Sequence, residues 1–214
     1  MITPYSIAAL IVAYLCGSIP TAVWIGQAFY GVDVREYGSG NAGATNTFRV
    51  LGKKAGIPVM LLDILKGWTA TNLAFFIGVT TTGGVNSIPY TNYMLALGIA
   101  AVMGHLFPVF AGFRGGKGIA TLFGMVLAIH LHAALLCVCM FIAMLLIFKY
   151  VSLGSICAGF TYLIGVAFVF PSNRSVVIYG MCMFLLILVT HQKNIERLLK
   201  GTESKVNLFK KKTA

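Results

Sequence analysis

The run IATLFGMVLAIHLHAALLCVCMFIAMLLIF, residues 119–148, decides how many helices this chain forms. A helix that crosses a bilayer needs about 20 apolar residues. The run is too long for one such helix and too short for two of standard length. His130 and His132 lie near its middle, where two short helices would have to turn. The distribution of charge along the rest of the chain decides between the two arrangements.

The composition is that of a polytopic membrane protein rather than a soluble domain. Of the 214 residues, 58% are hydrophobic and 10% are charged, and the mean hydropathy is +0.89. The formal charge of +11 indicates membrane lipids and an anionic substrate as partners, and no nucleic acid, because few loops lie outside the apolar runs. The five cysteines lie in apolar runs without metal-ligand spacing, so we expect reduced thiols and no metal site.

Lysine and arginine are distributed asymmetrically if the run turns near His130. Loops 31–54, 112–118 and 149–152 and the tail 191–214 then lie on one side and hold 14 of the 16 Lys and Arg residues. Because positive residues favour the cytoplasmic side, we predict an all-α polytopic transmembrane helical bundle. It forms one domain, 1–214, with the N-terminus outside and the C-terminus cytoplasmic. About seven spans are predicted: Ile2–Phe29 with a kink near Pro20, Ala55–Thr80, Tyr93–Ala111, the two halves of 119–148, 153–170 and Ser175–Thr190.

A glycine-rich polar stretch, GSGNAGATN at residues 38–46, separates the first two spans. Glycines leave backbone N–H groups unobstructed, so such a loop can surround an oxyanion and donate to it from several directions. The pattern also fits a flexible connector. It formally matches G-x-G-x-x-G, but a membrane span precedes it where the dinucleotide fingerprint requires a strand. The residues expected to contact an anion are Gly38, Ser39, Gly40, Asn41, Gly43, Thr45, Asn46 and the following Arg49.

A second glycine-rich loop has the sequence GFRGGKG at residues 112–118. A Walker A loop would need glycine at position 111 and Ser or Thr at position 118, where this chain has Ala111 and Gly118. The loop therefore suits phosphate binding without nucleotide hydrolysis. The residues expected to do so are Gly115, Gly116 and Lys117.

Lys66 lies within the second predicted span, where a lysine costs about 2.5–3.5 kcal/mol on insertion scales. Asp63 precedes it by three residues on the same helical face, so a neutralising pair is expected. The pair can simply hold spans together, or Lys66 can lie near the cytoplasmic mouth of a site. His105, near the end of the third span, also has two interpretations: a residue that lines the site or a satisfied structural histidine.

The start of the tail places His191, Asn194 and Arg197 three residues apart, which aligns them on one helical face. This stripe begins where the last span ends, so we expect it to face the same side as the glycine-rich loops. The alternative is an amphipathic helix that lies on anionic lipid, which we prefer for Lys210–Lys212. Gly201 is expected to cap the helix.

Together these motifs resemble those of the bacterial acyl-phosphate:glycerol-3-phosphate acyltransferases, the PlsY-type integral membrane enzymes. The matching stretches are GSGNAGATN at 38–46, DILKG at 63–67, GHLFPVF at 104–110 with FRGGKG at 113–118, and HQKNIER at 191–197 with GTE at 201–203. Motif order, length and span pattern agree over essentially the whole chain.

The resemblance implies transfer of a fatty acyl group from acyl phosphate to the 1-hydroxyl of sn-glycerol 3-phosphate. The products are lysophosphatidic acid and phosphate, in the first acylation step of phospholipid biosynthesis. No cofactor is implied, because acyl phosphate is already activated. The implied location is the bacterial inner or plasma membrane, as a multi-pass protein with its active site on the cytoplasmic side. A soluble enzyme that produces acyl phosphate is a further implied partner.

The resemblance also assigns residues. The catalytic ones are Ser39, Lys117, His191 and Asn194. Ser152 is a further substrate contact for which Ser155 is the competing choice. With only five carboxylates in the chain, we expect a substrate phosphate oxygen to take the hydroxyl proton, with His191 and Asn194 orienting the hydroxyl. The other substrate-binding residues are those of the two glycine-rich loops together with Lys66, His105 and Arg197.

Two other classes of function compete with an acyltransferase. A membrane transporter of a phosphorylated solute would show internal repeats and polar residues near the midplane. This chain shows no repeat, and its polar clusters gather at one face. A non-catalytic membrane scaffold would leave the glycine-rich loops without a purpose.

Overall fold

The computed structural model describes residues 4–81 and 87–206. Within these ranges the regular secondary structure is helical, and no strand occurs. Short 3₁₀ turns cover Val34–Glu36 and Val109–Ala111, and a π-helical turn, Gly165–Val169, continues α8. The α-helices of the described ranges are α1 Pro4–Gly17, α2 Thr21–Tyr30, α3 Ala44–Leu51, α4 Lys53–Thr81, α5 Ile88–Leu106, α6 Ile119–Ile129, α7 Leu131–Phe148, α8 Val151–Ile164, α9 Arg174–Thr190 and α10 Gln192–Leu199.

The apolar run that decides the helix count is broken where the charge distribution predicted it. Helix α6 ends at Ile129 and α7 begins at Leu131, while His130 has φ −150° and ψ 86°, outside the helical region. The kink predicted near Pro20 is also confirmed, since α1 and α2 meet there at 41°. Proline lacks an N–H group and so cannot continue a helical hydrogen-bond ladder.

Several helices are long and apolar enough to cross a membrane. In the part of the chain that the structure describes, three qualify singly, and up to five spans result if the bent pairs α1 with α2 and α9 with α10 each count as one. The prediction of an all-α integral membrane protein is therefore confirmed. The number of seven spans and the orientation of the termini stay predictions.

The described helices fall into two compact units, one up to Leu131 and one from His132. In the first unit α4 packs against α1, α5 and α6. Small residues allow this close approach: a Cβ added at Gly67 or Gly124 would collide with the backbone of the facing helix at Thr121 or Ile64. In the second unit α8 packs against α9, where Tyr162 and Tyr179 meet edge to face.

One segment needs correction. Residues 31–54 were predicted as a polar loop, but residues 44–51 form α3, and α4 already begins at Lys53. Thr45, Asn46 and Arg49 thus lie on a helix rather than in a loop. The helix starts after Gly43, whose backbone is extended and whose carbonyl accepts the first hydrogen bonds of α3 from Asn46 and Thr47.

Candidate functional site

Asn46 organises the first glycine-rich stretch, 38–46. Its side chain is 1% exposed. Its Oδ1 accepts hydrogen bonds from the backbone N–H and the hydroxyl of Ser39, and its Nδ2 donates to the carbonyls of Val34 and Tyr37. Gly38 has φ +62° and lies so close to Asn46 that a Cβ would collide with Oδ1. The stretch is thus a built loop that presents exposed Ser39, and not a flexible connector.

Most of the other predicted anion contacts of this stretch are accessible to solvent. Gly40, Thr45 and Arg49 are exposed, and Asn41 is half-buried. Gly40 has φ +71°, and its N–H donates to the Tyr37 carbonyl. The Cβ of any residue at position 43 would collide with the side-chain oxygen of Asn41.

The second glycine-rich loop packs against the end of α5. The N–H groups of Gly115 and Gly116 donate to the carbonyls of Leu106 and His105, both at 3.2 Å. A Cβ at either glycine would collide with His105, at its carbonyl oxygen or its ring. The glycines are therefore required for close packing, and their N–H groups, which were predicted to face an anion, already donate to α5. Lys117 is half-buried and is followed by Gly118, with φ +78°.

Arg35 links the turn ahead of the first loop to the second loop. Asp33 accepts three side-chain hydrogen bonds from Arg35, and the free edge of the guanidinium donates to the Ala111 carbonyl at 2.8 Å. The side-chain hydrogen bond from Arg35 holds the pKa of Asp33 below its ordinary value, and the same bond raises the pKa of Arg35. This ion pair lies between the residues predicted from the two motifs, but sequence analysis did not single it out. Its only sequence signal is an Asp-x-Arg triplet ahead of the first motif.

A polar network lies inside the helices of the first unit. The predicted pair is confirmed, because Lys66 Nζ lies 2.7 Å from Asp63 Oδ1. Lys66 also donates to the Ile19 carbonyl at 2.9 Å, and Thr21 donates to Asp63 at 2.6 Å. The network balances two charges that would otherwise be buried unpaired, at a cost of several kcal/mol each.

His105 belongs to the same network. Its Nδ1 lies 3.1 Å from the Thr121 hydroxyl and 3.7 Å from Asp63. These contacts match the interpretation of His105 as a buried structural histidine with its hydrogen bond satisfied. His105 also lines a cavity of about 10 Å³. The cavity has about the volume that one water molecule needs. Its lining includes Ala42, Lys66, His105, Gly115 and Gly116.

The second unit has its own polar cluster, which is centred on Glu203. Ser152 and Asn194 donate to Oε1 at 2.8 and 2.6 Å, and Arg197 Nε donates to Oε2 at 2.6 Å. Burial works to raise the pKa of Glu203, but these three hydrogen bonds outweigh it and hold the pKa below its ordinary value. Ser155 instead donates to the Val151 carbonyl within its own helix. The structure thus places Ser152, and not Ser155, in this cluster.

His191 differs from the prediction. Helix α10 begins after it and bends 64° from α9, so His191 lies at a break instead of on the helical face of Asn194 and Arg197. It is buried, and its Nδ1 donates to the Ile187 carbonyl at 2.9 Å. Nδ1 must carry the proton, because a carbonyl can only accept. This tautomer leaves Nε2 without a proton in neutral His191.

The segment after α10 is held to the turn between α7 and α8. Gly201 has φ +69°, and the predicted helix cap is confirmed. Beyond it Val206 N–H donates to the Lys149 carbonyl at 2.8 Å, and Lys205 lies over the Tyr150 ring. These contacts hold Glu203 in place, which explains how a tail residue becomes the centre of a buried cluster. Lys210–Lys212 lie outside the described residues.

The predicted residues are therefore divided between the two units. Ser39, Lys66, His105 and Lys117 belong to the first unit, and Ser152, His191, Asn194 and Arg197 belong to the second. Sequence analysis missed the organising roles of Arg35 and Glu203. Among the residues described, no group of three His, Cys, Asp or Glu side chains could hold a metal ion.

Comparison with known proteins identifies the family. A family model described as glycerol-3-phosphate acyltransferase matches residues 7–201. The glycerol-3-phosphate acyltransferase of Enterococcus faecalis is 42% identical over 92% of this chain and 90% of its own length. That of Bacillus cereus strain G9842 is 41% identical over 99% of both chains.

Solved structures agree with the sequence relatives. Two crystal structures of PlsY, an integral membrane glycerol 3-phosphate acyltransferase, are each 37% identical and cover 95% of this chain and 96% of their own. The glycerol 3-phosphate form has a TM-score of 0.82 and the lysophosphatidic acid form one of 0.80. This chain belongs to the glycerol-3-phosphate acyltransferase family and is an integral membrane acyltransferase of phospholipid biosynthesis.

Proposed function

We propose that the acyl donor is a fatty acyl phosphate and that the acceptor is the 1-hydroxyl of glycerol 3-phosphate. The observation that carries the proposal is the pair of glycine-rich loops in the first unit with exposed Arg49 and half-buried Lys117, the second loop being bonded to Arg35 just ahead of the first. Both proposed substrates carry a phosphate, whose negative charge the side chains of Arg49 and Lys117 can neutralise. The donor also carries an acyl tail, which suits the apolar helices.

The proposed reaction forms one ester bond and breaks one acyl–phosphate bond. The 1-hydroxyl oxygen attacks the acyl carbon, and phosphate leaves with the bonding electrons. A phosphate oxygen takes the hydroxyl proton, so the products are lysophosphatidic acid and phosphate. The chain's task is then to orient the two anions and neutralise their charge, rather than to supply a nucleophile.

In the first unit, we assign Ser39, Asn41, Arg49 and Lys117 to phosphate binding. Exposed Ser39 and Arg49 and half-buried Asn41 and Lys117 are accessible enough for this role. Lys66 and His105 line the small cavity beside the second loop. Of the predicted contacts, Asn46 has its amide bonded to its own loop, so we expect it to act through Ser39.

In the second unit, we assign His191 and Asn194 to orienting the acceptor hydroxyl. The unprotonated Nε2 of neutral His191 can accept a hydrogen bond from a hydroxyl. Asn194, Ser152 and Arg197 are held by Glu203, which fixes their side chains before any substrate binds. Fixed groups lose less entropy when the substrate arrives.

We further propose seven spans, with the N-terminus outside and the C-terminus and active site on the cytoplasmic side of a bacterial inner or plasma membrane. The charge asymmetry and the helix break at His130 support this arrangement. A soluble enzyme that produces acyl phosphate is the proposed supplier of donor. Membrane lipids are the proposed partners of the apolar helices, whose length and composition support this.

The experiment that tests the donor uses purified protein in detergent with glycerol 3-phosphate. Acyl phosphate and acyl-CoA of the same chain length are compared, and lysophosphatidic acid and phosphate are measured. We expect product from acyl phosphate and little from acyl-CoA, since the chain has no nucleotide-recognition motif. Comparable rates with both donors would refute the proposed donor.

A further inference from the structure

We propose that Arg35 is a positioning residue that sets the spacing of the two glycine-rich loops. The proposal rests on the function proposed above, in which loops 38–46 and 112–118 both bind phosphate. Arg35 belongs to neither loop. Its effect on the reaction would therefore pass through Ser39 and Lys117, and not through contact with a substrate.

Asp33 fixes one side of the Arg35 guanidinium. Nε lies 3.0 and 3.1 Å from the two carboxylate oxygens, and Nη2 lies 2.7 Å from Oδ2. Asp33 also accepts a hydrogen bond from the Arg35 backbone N–H at 2.9 Å. The two side chains are only 16% and 15% exposed. A planar guanidinium bound on two nitrogens has one defined orientation.

The remaining nitrogen of Arg35 supports a turn of the second loop. Nη1 lies 2.8 Å from the Ala111 carbonyl oxygen and 3.4 Å from that of Arg114. Between these carbonyls Gly112 and Phe113 have φ values of +63° and +59°. Phenylalanine disfavours this left-handed region. A turn with phenylalanine in this region needs support from outside the turn. Arg35 supports it by donating to the Ala111 carbonyl at one end of the turn and to the Arg114 carbonyl at the other.

One side chain thus connects the turn that precedes the first loop with both ends of a turn in the second loop. Ser39 follows Arg35 by four residues, and Lys117 follows Arg114 by three. A shift of the guanidinium would therefore move both predicted phosphate contacts. Displacement of a reacting group by about 1 Å can cost about 10²-fold in rate. Lysine cannot replace arginine here, because its point-like ammonium cannot bind Asp33 and Ala111 in one plane.

The test compares Arg35→Gly and Arg35→Lys with the parent enzyme in detergent. We expect kcat/KM to fall about 10²-fold in both variants, while the thermal midpoint of Arg35→Lys, which keeps a positive charge beside Asp33, stays close to that of the parent. Millimolar guanidinium should restore part of the activity of Arg35→Gly by occupying the vacated position. Arg174→Gly, at the exposed start of α9, is the matched control and should show parent activity and no response to guanidinium.

Three results would overturn the proposal. The first is a parent-like kcat/KM in Arg35→Gly or Arg35→Lys. The second is a loss of activity in Arg35→Gly that guanidinium does not reverse. The third is a large fall of the thermal midpoint in Arg35→Lys. If Arg35→Gly cannot be purified, Arg35→Lys decides alone: reduced kcat/KM with a parent-like midpoint supports the proposal, and any other result overturns it.

Calorimetry with glycerol 3-phosphate separates this proposal from the donor assignment. If the parent binds glycerol 3-phosphate but acyl phosphate gives no product, the donor assignment is wrong. Weaker binding of glycerol 3-phosphate by Arg35→Lys would then still support the positioning role. Equal binding by the variant and the parent would overturn it.

Discussion

Asn46 Oδ1 accepts hydrogen bonds from both the backbone N–H of Ser39, at 2.9 Å, and its hydroxyl, at 3.1 Å. The amide nitrogen of Asn46 donates to the Val34 and Tyr37 carbonyls, at 2.8 and 3.1 Å. These four bonds fix which end of the amide faces Ser39. A buried side chain thus aims the hydroxyl of an exposed residue.

Asn46→Ala should therefore lower both stability and activity. The Val34 and Tyr37 carbonyls would each lose the hydrogen bond from the Asn46 amide, and one such bond typically contributes about 0.5–1.5 kcal/mol to stability. The Ser39 hydroxyl would lose its acceptor, so kcat/KM should fall as well. Chemical unfolding in detergent measures the first effect. Thr45→Ala, at the exposed neighbouring position, should change stability by less than about 0.5 kcal/mol; equal stability losses would contradict the assignment.

Lys117→Ala tests the proposed phosphate contact in the second loop. The loss of one strong electrostatic stabiliser should reduce kcat/KM about 10²–10³-fold. Lys117→Arg should recover only part of the activity, since a planar guanidinium does not replace a compact ammonium among glycines.

The control for Lys117 is Lys200→Ala. Lys200 is 66% exposed and pairs with Glu196, so its loss should hardly change activity. Both variants must first give matching yields and thermal midpoints. A parent rate in Lys117→Ala would mean that this loop has only a structural role.

The two glycines beside His105 give a prediction about packing. Gly115→Ala would place a Cβ against the His105 carbonyl, so the loop must move. Overpacking of this kind typically costs about 1–3 kcal/mol. Gly112→Ala is the control, because no atom lies within 4 Å of the added Cβ and only its positive φ opposes it. Thermal unfolding should show a larger loss for Gly115→Ala, and the reverse order would disprove the packing argument.

The lowered pKa of Glu203 predicts that the stability of the protein depends on pH. Its hydrogen bonds from Asn194, Ser152 and Arg197 hold the folded-state pKa below the ordinary value of 4.5. The unfolded chain therefore binds the proton more readily. The stabilisation is fully present above pH 4.5 and is lost as the pH falls through the lowered pKa.

Unfolding midpoints measured across this acidic range check the prediction. Glu203→Gln should be less stable than the parent at neutral pH, and the difference should shrink as the pH falls. Glu196→Gln, at a carboxylate that is 63% exposed, should follow the parent curve. A constant difference between Glu203→Gln and the parent would exclude Glu203 as the titrating group.

Reporter fusions test the seven-span topology. A reporter after Ala214 should report the cytoplasm, and one inserted near Gly84 should report the outside. Both positions lie beyond the described residues, so this prediction rests on charge distribution alone. Finding both reporters on the same side would disprove the proposed topology.

The sequence by itself determined the long apolar helices, the membrane class and the family, but not the short helix α3. Hydrophobic run length, proline and the distribution of positive charge are local or summed properties, so they can be read without coordinates. The breaks at Pro20 and His130 and the Asp63–Lys66 pair follow from such properties. The sequence motifs also indicated most of the polar residues that the structure brings into contact, such as Asn194 and Arg197.

Only the tertiary structure decided what holds those residues in place. Arg35 and Ala111 are 76 positions apart, and Ser152 and Glu203 are 51 apart. Pairing over such distances depends on how helices pack, and no local pattern encodes it. The same reason separates Ser152 from Ser155: both are buried on one helix, but only Ser152 meets the carboxylate that the tail brings back.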